Sequence, residues 1–305
     1  MSTTVIATKK KKLKLKHFEP YILLIPAVIL IATLILFPIG RTFAYSFQEL
    51  NLLRPNRYGF VGFDNFRALA DDVIFHTALQ NSIFITVIVV FFQFLIGLTM
   101  ALLMKNMKRC RGFYRAMVFA PWAVSGILVA VLWRMIFSGT TGVANDLMLR
   151  SGLIETAIPW GANGQTAMIM VIVASVWRGI PFFAITIMAT LTTIPEELYE
   201  SARIDGGGAI RLFFSITMPF LRETIVLTTM LRFIWTFNDV DLVFALTAGG
   251  PNNATLTLPV YVTRTAVEHL NFGYGSTLAI ALAGVLLVFS IIYLQLGRTN
   301  DDFSA

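Results

Sequence analysis

Six long apolar stretches divide this sequence of 305 residues, and they constrain its fold more than any other feature. They cover residues 21–39, 82–104, 114–137, 166–191, 224–247 and 276–296. A helix needs about 20 apolar residues to cross the hydrocarbon core of a bilayer, where the backbone must satisfy its polar groups internally. The pattern therefore predicts an all-α integral membrane protein with six transmembrane helices.

The composition agrees with this prediction and excludes a soluble protein. Hydrophobic residues make up 56% of the chain and charged residues 13%, which is too little polar surface to cover a soluble globular domain. The single cysteine, Cys110, excludes a disulfide framework and any metal site built from cysteines. We therefore expect a chain that functions within a lipid bilayer and holds no metal.

The net charge of +7 includes a cluster of lysines at the N-terminus. Six lysines in residues 9–16 come just before the first apolar stretch, which favours contact with an anionic membrane surface over nucleic-acid binding. The stretch 21–39 is longer than the apolar core of a signal peptide, and no small-residue cleavage site follows it. We interpret it as a retained transmembrane helix, and we expect no nucleic-acid partner.

The distribution of lysine and arginine between the loops predicts the orientation in the membrane. If the N-terminus is cytoplasmic, the cytoplasmic segments contain fourteen of these residues and the opposite segments contain six. We therefore expect both termini in the cytoplasm, together with the loop 193–222 between the fourth and fifth helices. The predicted organisation is a basic cytoplasmic tail (1–20), one six-helix domain (21–297) and a short cytoplasmic tail (298–305).

The sequence EELYESARIDGGGAIRLFFSITMPF, residues 196–220, is unusually polar for its position between two apolar stretches. Glu196 and Glu200 lie four residues apart beside an apolar row, which predicts a short amphipathic helix from 196 to about 204. Three consecutive glycines then end the helix, and a second helical piece, 209–218, leads back to the membrane. On physical grounds alone, this hairpin either only connects two spans at the membrane surface or docks a cytoplasmic partner.

The segment ESARIDG, followed after nine residues by ITMP, resembles the EAA motif of ABC importer permeases, which forms their coupling helices. Five positions match the motif in identity and spacing: Glu200, Ala202, Gly206, Ile216 and Pro219. Ser201 replaces an alanine and Met218 replaces a leucine, both of similar size. The resemblance implies that Glu200 pairs with a basic residue of an ATP-binding subunit. The residues expected to couple to the ATPase are Glu197, Glu200, Ser201, Ala202, Asp205, Gly206, Ile216 and Pro219.

Further segments resemble the carbohydrate-uptake branch of these permeases, the maltose and glycerol-phosphate type. They are VWRGIPFF, FNDVDLVFALTAGGPNNAT and FGYGSTLAI. The resemblance implies a multi-pass subunit of a bacterial or archaeal cytoplasmic membrane. It also implies a second permease, two ATP-binding subunits and an extracytoplasmic solute-binding protein as partners. The loops 40–80, with a short amphipathic helix expected near 64–70, and 247–275 are the candidates to contact that binding protein.

The chain is expected to be a transport subunit and not an enzyme. It contains no G-x-x-x-x-G-K-[ST] phosphate loop, and DGGGAIR lacks both the lysine and the preceding strand of a phosphate-binding glycine loop. We therefore expect no cofactor in this chain, with ATP and Mg held by the partner subunits. A membrane enzyme lacks support because no clustered metal ligands and no nucleophile–base pair stand out in the sequence.

Ionisable residues deep within the apolar stretches point to a solute site, because a charge at membrane depth costs about 2.5–3.5 kcal/mol and usually faces a cavity or a partner. Arg178 lies beside Gly179 and Pro181, which weaken the helix and can expose backbone groups to a cavity. Aromatic rings can cover the C–H faces of a sugar while polar groups bind its hydroxyls. The residues expected to bind substrate are Ser175, Arg178, Gly179, Phe182, Trp235, Asn238 and Asp239.

Several alternatives stay open from the sequence. Arg178 could pair with Asp239 or Asp241 only to fasten helices, or it could meet an anionic group of the substrate. Arg232, one or two turns from the cytoplasmic start of its span, could reach the membrane surface or pair with Asp239. The cargo could be a solute other than a sugar. The chain could instead be an ion-coupled secondary transporter that uses Asp239 and Asp241.

Overall fold

The computed structural model describes residues 19–105, 107 and 111–298. The lysine-rich segment 9–16, Cys110 and the predicted tail beyond residue 298 lie outside the described residues. The described part is mostly helical, with one antiparallel pair of two-residue strands, β1 (Gln48–Glu49) and β2 (Gly59–Phe60). The predicted all-α fold class is therefore confirmed.

The helices follow one another along the chain with short connections. They are α1 (Glu19–Ile31), α2 (Phe37–Tyr45), α3 (Asp64–Ala70), α4 (Val73–Lys105), α5 (Arg111–Phe119), α6 (Gly126–Ile136), α7 (Val143–Arg150), α8 (Gly164–Leu191), α9 (Glu196–Ile204), α10 (Ala209–Leu212), α11 (Met218–Phe237), α12 (Asp241–Thr247), α13 (Leu258–Thr263) and α14 (Phe272–Arg298). Short 3-10 turns lie at Pro55–Arg57 and Ala120–Ala123, and π-helical turns lie at Ala32–Leu36, Phe213–Thr217 and Arg264–Glu268.

Four helical segments in the described part of the chain are long and apolar enough to cross a membrane. They are Leu23–Tyr45, Val73–Lys105, Gly164–Leu191 and Phe272–Gln295. These segments correspond to the first, second, fourth and sixth apolar stretches. Four of the six predicted stretches therefore form continuous helical segments of spanning length, and the other two are broken.

The third stretch is bent by 98° between Gly112–Ala123 and Gly126–Ile136, whereas the sequence predicted a single transmembrane helix there. Pro121 lies in the 3-10 turn that ends the first arm, where its missing N–H ends the helical bonding. Ser125 then begins α6, because its hydroxyl accepts a hydrogen bond from the backbone N–H of Leu128 at 3.4 Å. The chain thus turns sharply at residues 124–125.

The fifth stretch also departs from the prediction, because α11 ends at Phe237 and a separate helix, α12, begins at Asp241. Asn238 donates its side-chain amide to the carbonyl of Ile234 at 3.1 Å, and so closes the last turn of α11. Asp239 accepts the backbone N–H of Leu242 at 3.4 Å, which helps to start α12. Short polar side chains that bond to the backbone compete with continued helix, and this is the physical reason for the break.

The packed centre of the bundle lies between α4 and α8. Small residues allow a close approach, since a Cβ added at Gly97 of α4 would meet the backbone N of Ala184 at 3.0 Å. Phe183, Ile187 and Leu191 on α8 are fully or almost fully buried along this contact. The helices α11 and α12 pack against this pair.

At one end of the bundle, Asp72 fastens three helices together. Its carboxylate accepts hydrogen bonds from the hydroxyls of Tyr261 at 2.7 Å and Tyr274 at 2.6 Å. The other carboxylate oxygen accepts the backbone N–H of Ile74 at 2.8 Å, and so caps the start of α4. Burial acts to raise the pKa of Asp72, but the hydrogen bonds from Tyr274, Tyr261 and the backbone outweigh it and hold this pKa below its usual value. The α3 helix predicted near 64–70 lies at the same end and is confirmed at Asp64–Ala70.

At the opposite end, α9 occupies the range predicted for the amphipathic helix. The chain passes through Gly206 with φ of 78°, a left-handed conformation that favours glycine. The second helical piece, predicted at 209–218, is helical over this range, as α10 followed by the π-helical turn Phe213–Thr217 and the start of α11. The hairpin therefore continues into α11 without a separate loop.

Candidate functional site

A cavity of about 450 Å³ opens beside the break between α11 and α12. The residues that line it are Trp122, Ser175, Arg178, Arg232, Trp235, Thr236, Asn238, Asp239, Val240 and Asp241. Three segments contribute to its wall. They are the 3-10 turn before α6, the middle of α8 beside Gly179, and the residues between α11 and α12. The two breaks that the sequence prediction missed thus form part of the wall of one cavity.

Arg178 and Asp239 form an ion pair across this cavity, with 2.8 Å between Nη1 and Oδ2. The side chains are 29% and 21% exposed, so the pair is largely shielded within the bundle. Gly126 makes room for it, because a Cβ there would lie 3.1 Å from the Arg178 guanidinium. The pairing that the sequence left open for Arg178 is therefore made with Asp239. Each charge offsets the other, which lowers the cost of placing both inside the bundle.

Arg232 does not pair with Asp239 within the described residues, and it binds a neutral amide instead. Its Nε donates to Oε1 of Gln93 at 3.0 Å. The amide nitrogen of Gln93 donates in turn to the backbone carbonyl of Ser175 at 2.8 Å. Gln93 is completely buried, and this chain of bonds joins α4, α8 and α11 beside the cavity.

Gly179 explains how Gln93 and Arg232 fit between the helices. A Cβ at this position would lie closer than 3.0 Å to the Gln93 amide and to the Arg232 guanidinium. Such contacts are essentially never observed for real Cβ atoms. The glycine therefore leaves the space that the two polar side chains occupy.

Aromatic rings line the same region. The rings of Phe182 and Trp235 meet edge to face with centroids 5.1 Å apart, and Trp122 lies 6.4 Å from Phe182. The guanidinium of Arg232 lies 5.9 Å from the Phe182 centroid. Trp235 is 45% exposed and Trp122 is 50% exposed, so both indoles offer apolar surface for a ligand.

The structure brings five of the seven predicted substrate residues to the cavity wall: Ser175, Arg178, Trp235, Asn238 and Asp239. Gly179 and Phe182 lie behind the wall, where Gly179 makes room for the Gln93–Arg232 pair and Phe182 supports Trp235. Sequence reasoning did not include Trp122, Arg232 or Asp241 in this set, and it missed Gln93. The sequence does contain an indication of Gln93, because it is the one side-chain amide in the uncharged apolar stretch 82–104.

At the other end of the molecule, α9 presents an exposed acidic face. Of the predicted coupling residues, Glu197, Glu200, Ser201, Asp205, Gly206 and Pro219 are exposed, and Ala202 and Ile216 are half-buried. Tyr199 anchors the helix, because its ring lies under the ammonium group of Lys105 at 4.1 Å and its hydroxyl lies 3.0 Å from that of Thr217. Ile204 is 86% exposed and Ile210 is 77% exposed beside the acidic face. Acidic and apolar groups together suit a protein-docking surface.

Comparisons with known proteins agree on one family. The model of the binding-protein-dependent transport system inner membrane component matches residues 93–299. The sulfoquinovosyl glycerol transport system permease protein SmoG of Agrobacterium fabrum is 34% identical over 92% of this chain and 90% of its own length. The diacetylchitobiose uptake system permease protein DasB of Streptomyces coelicolor is 31% identical over 93% of this chain and 88% of its own.

A solved structure has the same fold. It is a bacterial alginate ABC transporter in complex with an alginate pentasaccharide-bound periplasmic protein. One of its chains superposes with a TM-score of 0.81 at 21% identity, covering 95% of this chain and 98% of that chain. The arrangement of helices described above is therefore that of an ABC transporter permease.

Proposed function

This chain belongs to the family of binding-protein-dependent transport system inner membrane components, and we propose that it is the permease subunit of an ABC importer that takes up a sugar. SmoG and DasB, the similar permease proteins, serve the transport of sulfoquinovosyl glycerol and of diacetylchitobiose, both of which contain sugar units. The solute of this chain is an oligosaccharide or a sugar derivative handed over by a solute-binding protein.

The observation that carries this proposal is the combination of rings and polar groups around the cavity. Exposed Trp122 and Trp235 can cover the C–H faces of a sugar ring, as aromatic side chains do in other ligand sites. Arg178, Asn238 and Asp239 supply donors and acceptors for hydroxyl groups on the same wall. Ser175 completes the polar lining, whereas Gly179 and Phe182 act by shaping it.

We propose that the chain crosses the membrane six times, with both termini in the cytoplasm. The bent α5–α6 segment and the interrupted α11–α12 segment supply the third and fifth crossings. Irregular backbone at membrane depth is tolerated where it lines a cavity, which supports this assignment. The organisation is then a basic tail (1–20), the permease domain (21–297) and a short tail (298–305), in the cytoplasmic membrane of a bacterium or an archaeon.

ATP hydrolysis is proposed to take place on two partner subunits that hold ATP and Mg, while a second permease completes the translocation pathway. Exposed apolar surface supports the second permease or lipid as neighbours, since the Leu23–Tyr45 segment buries none of its most apolar window within this chain. The alginate transporter was solved with a periplasmic protein, which supports a solute-binding protein as a further partner.

Coupling is proposed to run through α9 and the segment up to Gly206. Closure of the ATP-binding pair displaces α9, and Tyr199 transmits the movement because it is packed under Lys105 and against Thr217. The bundle then changes between access from outside and access from the cytoplasm by rigid-body movement. The residues assigned to this contact remain the eight predicted from the motif.

Uptake assays under controlled energy supply test the proposed function. The measurement is uptake of radiolabelled sugars into native cells whose ATP is depleted while the membrane potential is held constant. Loss of uptake is expected, and competition with unlabelled sugars and amino acids then identifies the solute class. Uptake that persists without ATP and collapses with the ion gradient would instead favour a secondary transporter that uses Asp239 and Asp241.

A further inference from the structure

We propose that Arg232 contacts the transported sugar and that Gln93 is the positioning residue that orients it. The inference rests on the importer function proposed above and assigns two residues to its substrate site. Arg232 lines the cavity, whereas Gln93 lies behind the wall and reaches the substrate only through Arg232.

The first argument is the burial of Gln93. Its side chain is completely buried between helices, where a polar amide without hydrogen-bond partners is strongly unfavourable. Both ends of the amide are used, one toward the Ser175 carbonyl and one toward the Arg232 Nε. The donor to Ser175 fixes the orientation of the amide, and its oxygen therefore faces Arg232.

The second argument is the space that surrounds this pair. A side chain at position 179 would overlap both Gln93 and Arg232, so the glycine is what allows α8 to accommodate them. If Gln93 only joined α4 to α8, its hydrogen bond to the Ser175 carbonyl would be enough. Space for the guanidinium of Arg232 beside position 179 would then not be needed. The gap at Gly179 therefore serves the orientation of Arg232.

The third argument is the set of donors that Arg232 keeps for a ligand. Only its Nε is hydrogen-bonded within the described part of the chain, and the residue lines the cavity. Arg178 differs, because its guanidinium is engaged by Asp239 at 2.8 Å. Both terminal amino groups of Arg232 are thus without a hydrogen bond in the described part of the chain, whereas one of the two on Arg178 is bonded to Asp239.

These donors suit the oxygen atoms of a sugar. A guanidinium presents its N–H groups in one plane and in a fixed fork, which can bridge two neighbouring hydroxyl oxygens. Trp235 lies three residues further along α11, on the same side of the helix, and its exposed ring can cover the apolar face of the same sugar unit. A guanidinium held at one angle loses less conformational entropy on binding than a free one.

Equilibrium binding to the intact transporter tests this inference. The probe is a panel of tritiated mono-, di- and trisaccharides that includes maltose and diacetylchitobiose, added to the detergent-purified complex without its solute-binding protein. Arg232→Gln is expected to raise the Kd of the bound sugar about tenfold or more, which corresponds to about 1.4 kcal/mol. Gln93→Leu, of similar volume, is expected to raise it by a similar factor.

The double variant separates positioning from a structural role. If Gln93 acts through Arg232, adding Gln93→Leu to Arg232→Gln leaves the Kd unchanged from that of Arg232→Gln alone. If Gln93 only joined helices, Gln93→Leu would raise the Kd further in the Arg232→Gln background. This result would overturn the positioning role. Should Gln93→Leu fail to assemble, Arg232→Lys keeps the charge but removes the Nε donor, and the same loss of affinity is expected.

Thr224→Val is the matched control. Thr224 and Thr190 join α11 to α8 through a hydrogen bond of 2.8 Å, and neither lines the cavity. This variant removes an interhelical bond and is expected to leave the Kd unchanged. A wild-type Kd in Arg232→Gln would refute the inference while leaving the importer function intact. A wild-type transporter that binds no sugar of the panel would contradict the sugar function itself and this inference with it.

Discussion

Substitution of Gly179 by alanine tests whether the polar group behind the cavity is packed as described. In an exposed helix interior this change would stabilise by about 1 kcal/mol, because glycine is a poor helix former. At position 179 the new methyl group would instead lie closer than 3.0 Å to Gln93 and Arg232, whereas ordinary contacts begin at 3.4 Å. The sign of the effect is therefore expected to reverse.

The magnitude follows from two costs. Overpacking a well-filled interior costs about 1–3 kcal/mol. Displacement of Gln93, which is completely buried, breaks its bonds to Ser175 and Arg232 and adds about 1–3 kcal/mol for each buried polar group left unsatisfied. After the gain in helix propensity is subtracted, Gly179→Ala should destabilise the chain by at least about 2 kcal/mol.

The assay is thermal unfolding of the detergent-purified transporter, together with sugar uptake. Gly284→Ala on α14 is the matched control, because no atom lies within 4 Å of a Cβ added there. It is expected to keep or slightly raise the apparent melting temperature, while Gly179→Ala lowers it by several degrees and impairs uptake. The loss should shrink in a Gln93→Ala background, since the overlapping side chain is then absent. A Gly179→Ala transporter with wild-type stability and uptake would refute the packing.

Three further predictions concern charged residues. Glu200→Lys reverses the charge proposed to meet the ATPase and should lower uptake at least about tenfold, whereas Glu155→Lys, also exposed, should leave uptake unchanged. Asp239→Asn leaves the partly buried Arg178 without its 2.8 Å partner and should cost about 2 kcal/mol in thermal unfolding, with part recovered by Arg178→Gln in the same chain. Asp72→Asn should lower the melting temperature by a constant amount between about pH 5 and 8, because the pKa of Asp72 is held below its usual value. Its contribution is then complete above the unfolded pKa of about 3.9 and is lost as the pH falls through the folded pKa, so the difference should shrink below about pH 4. A difference that grows in acid would contradict the assigned hydrogen bonds.

The elements that could be predicted from sequence are those fixed by local patterns. Four apolar stretches became continuous helical segments, as their length and apolar composition predicted, although two of them contain a proline inside a helix, Pro26 and Pro181. The α3 and α9 helices were found at their predicted positions because amphipathic spacing and glycine termination act over a few residues.

The two breaks depend on interactions that an apolar pattern does not reveal. Pro121 and Ser125 stop and restart a helix inside an apolar stretch, and Asn238 and Asp239 do the same in the fifth one. Hydropathy averaged over such a stretch hides these short-range competitors. A proline, or a short polar residue that can bond to the backbone, inside an apolar stretch of this length therefore indicates a possible helix break.

The polar group behind the cavity depends on contacts distant in sequence. Gln93 and Arg232 are 139 positions apart, and Gly179 belongs to a third helix. The sequence left open whether Arg232 reaches the membrane surface or pairs with Asp239, and it did not indicate a neutral amide as the partner. Packing of three helices decided this, so the pairing of Arg178 with Asp239 and of Arg232 with Gln93 could be assigned only from the structure.

The most direct test of the account is affinity purification of this chain from its native cells in mild detergent, followed by mass spectrometry of the proteins that accompany it. A permease subunit of an ABC importer should bring along a second permease and an ATP-binding subunit that carries a phosphate loop, with less of the ATP-binding subunit recovered from Glu200→Lys. Recovery of the chain alone, or only as copies of itself, under conditions that preserve known transporter complexes would contradict the central claim.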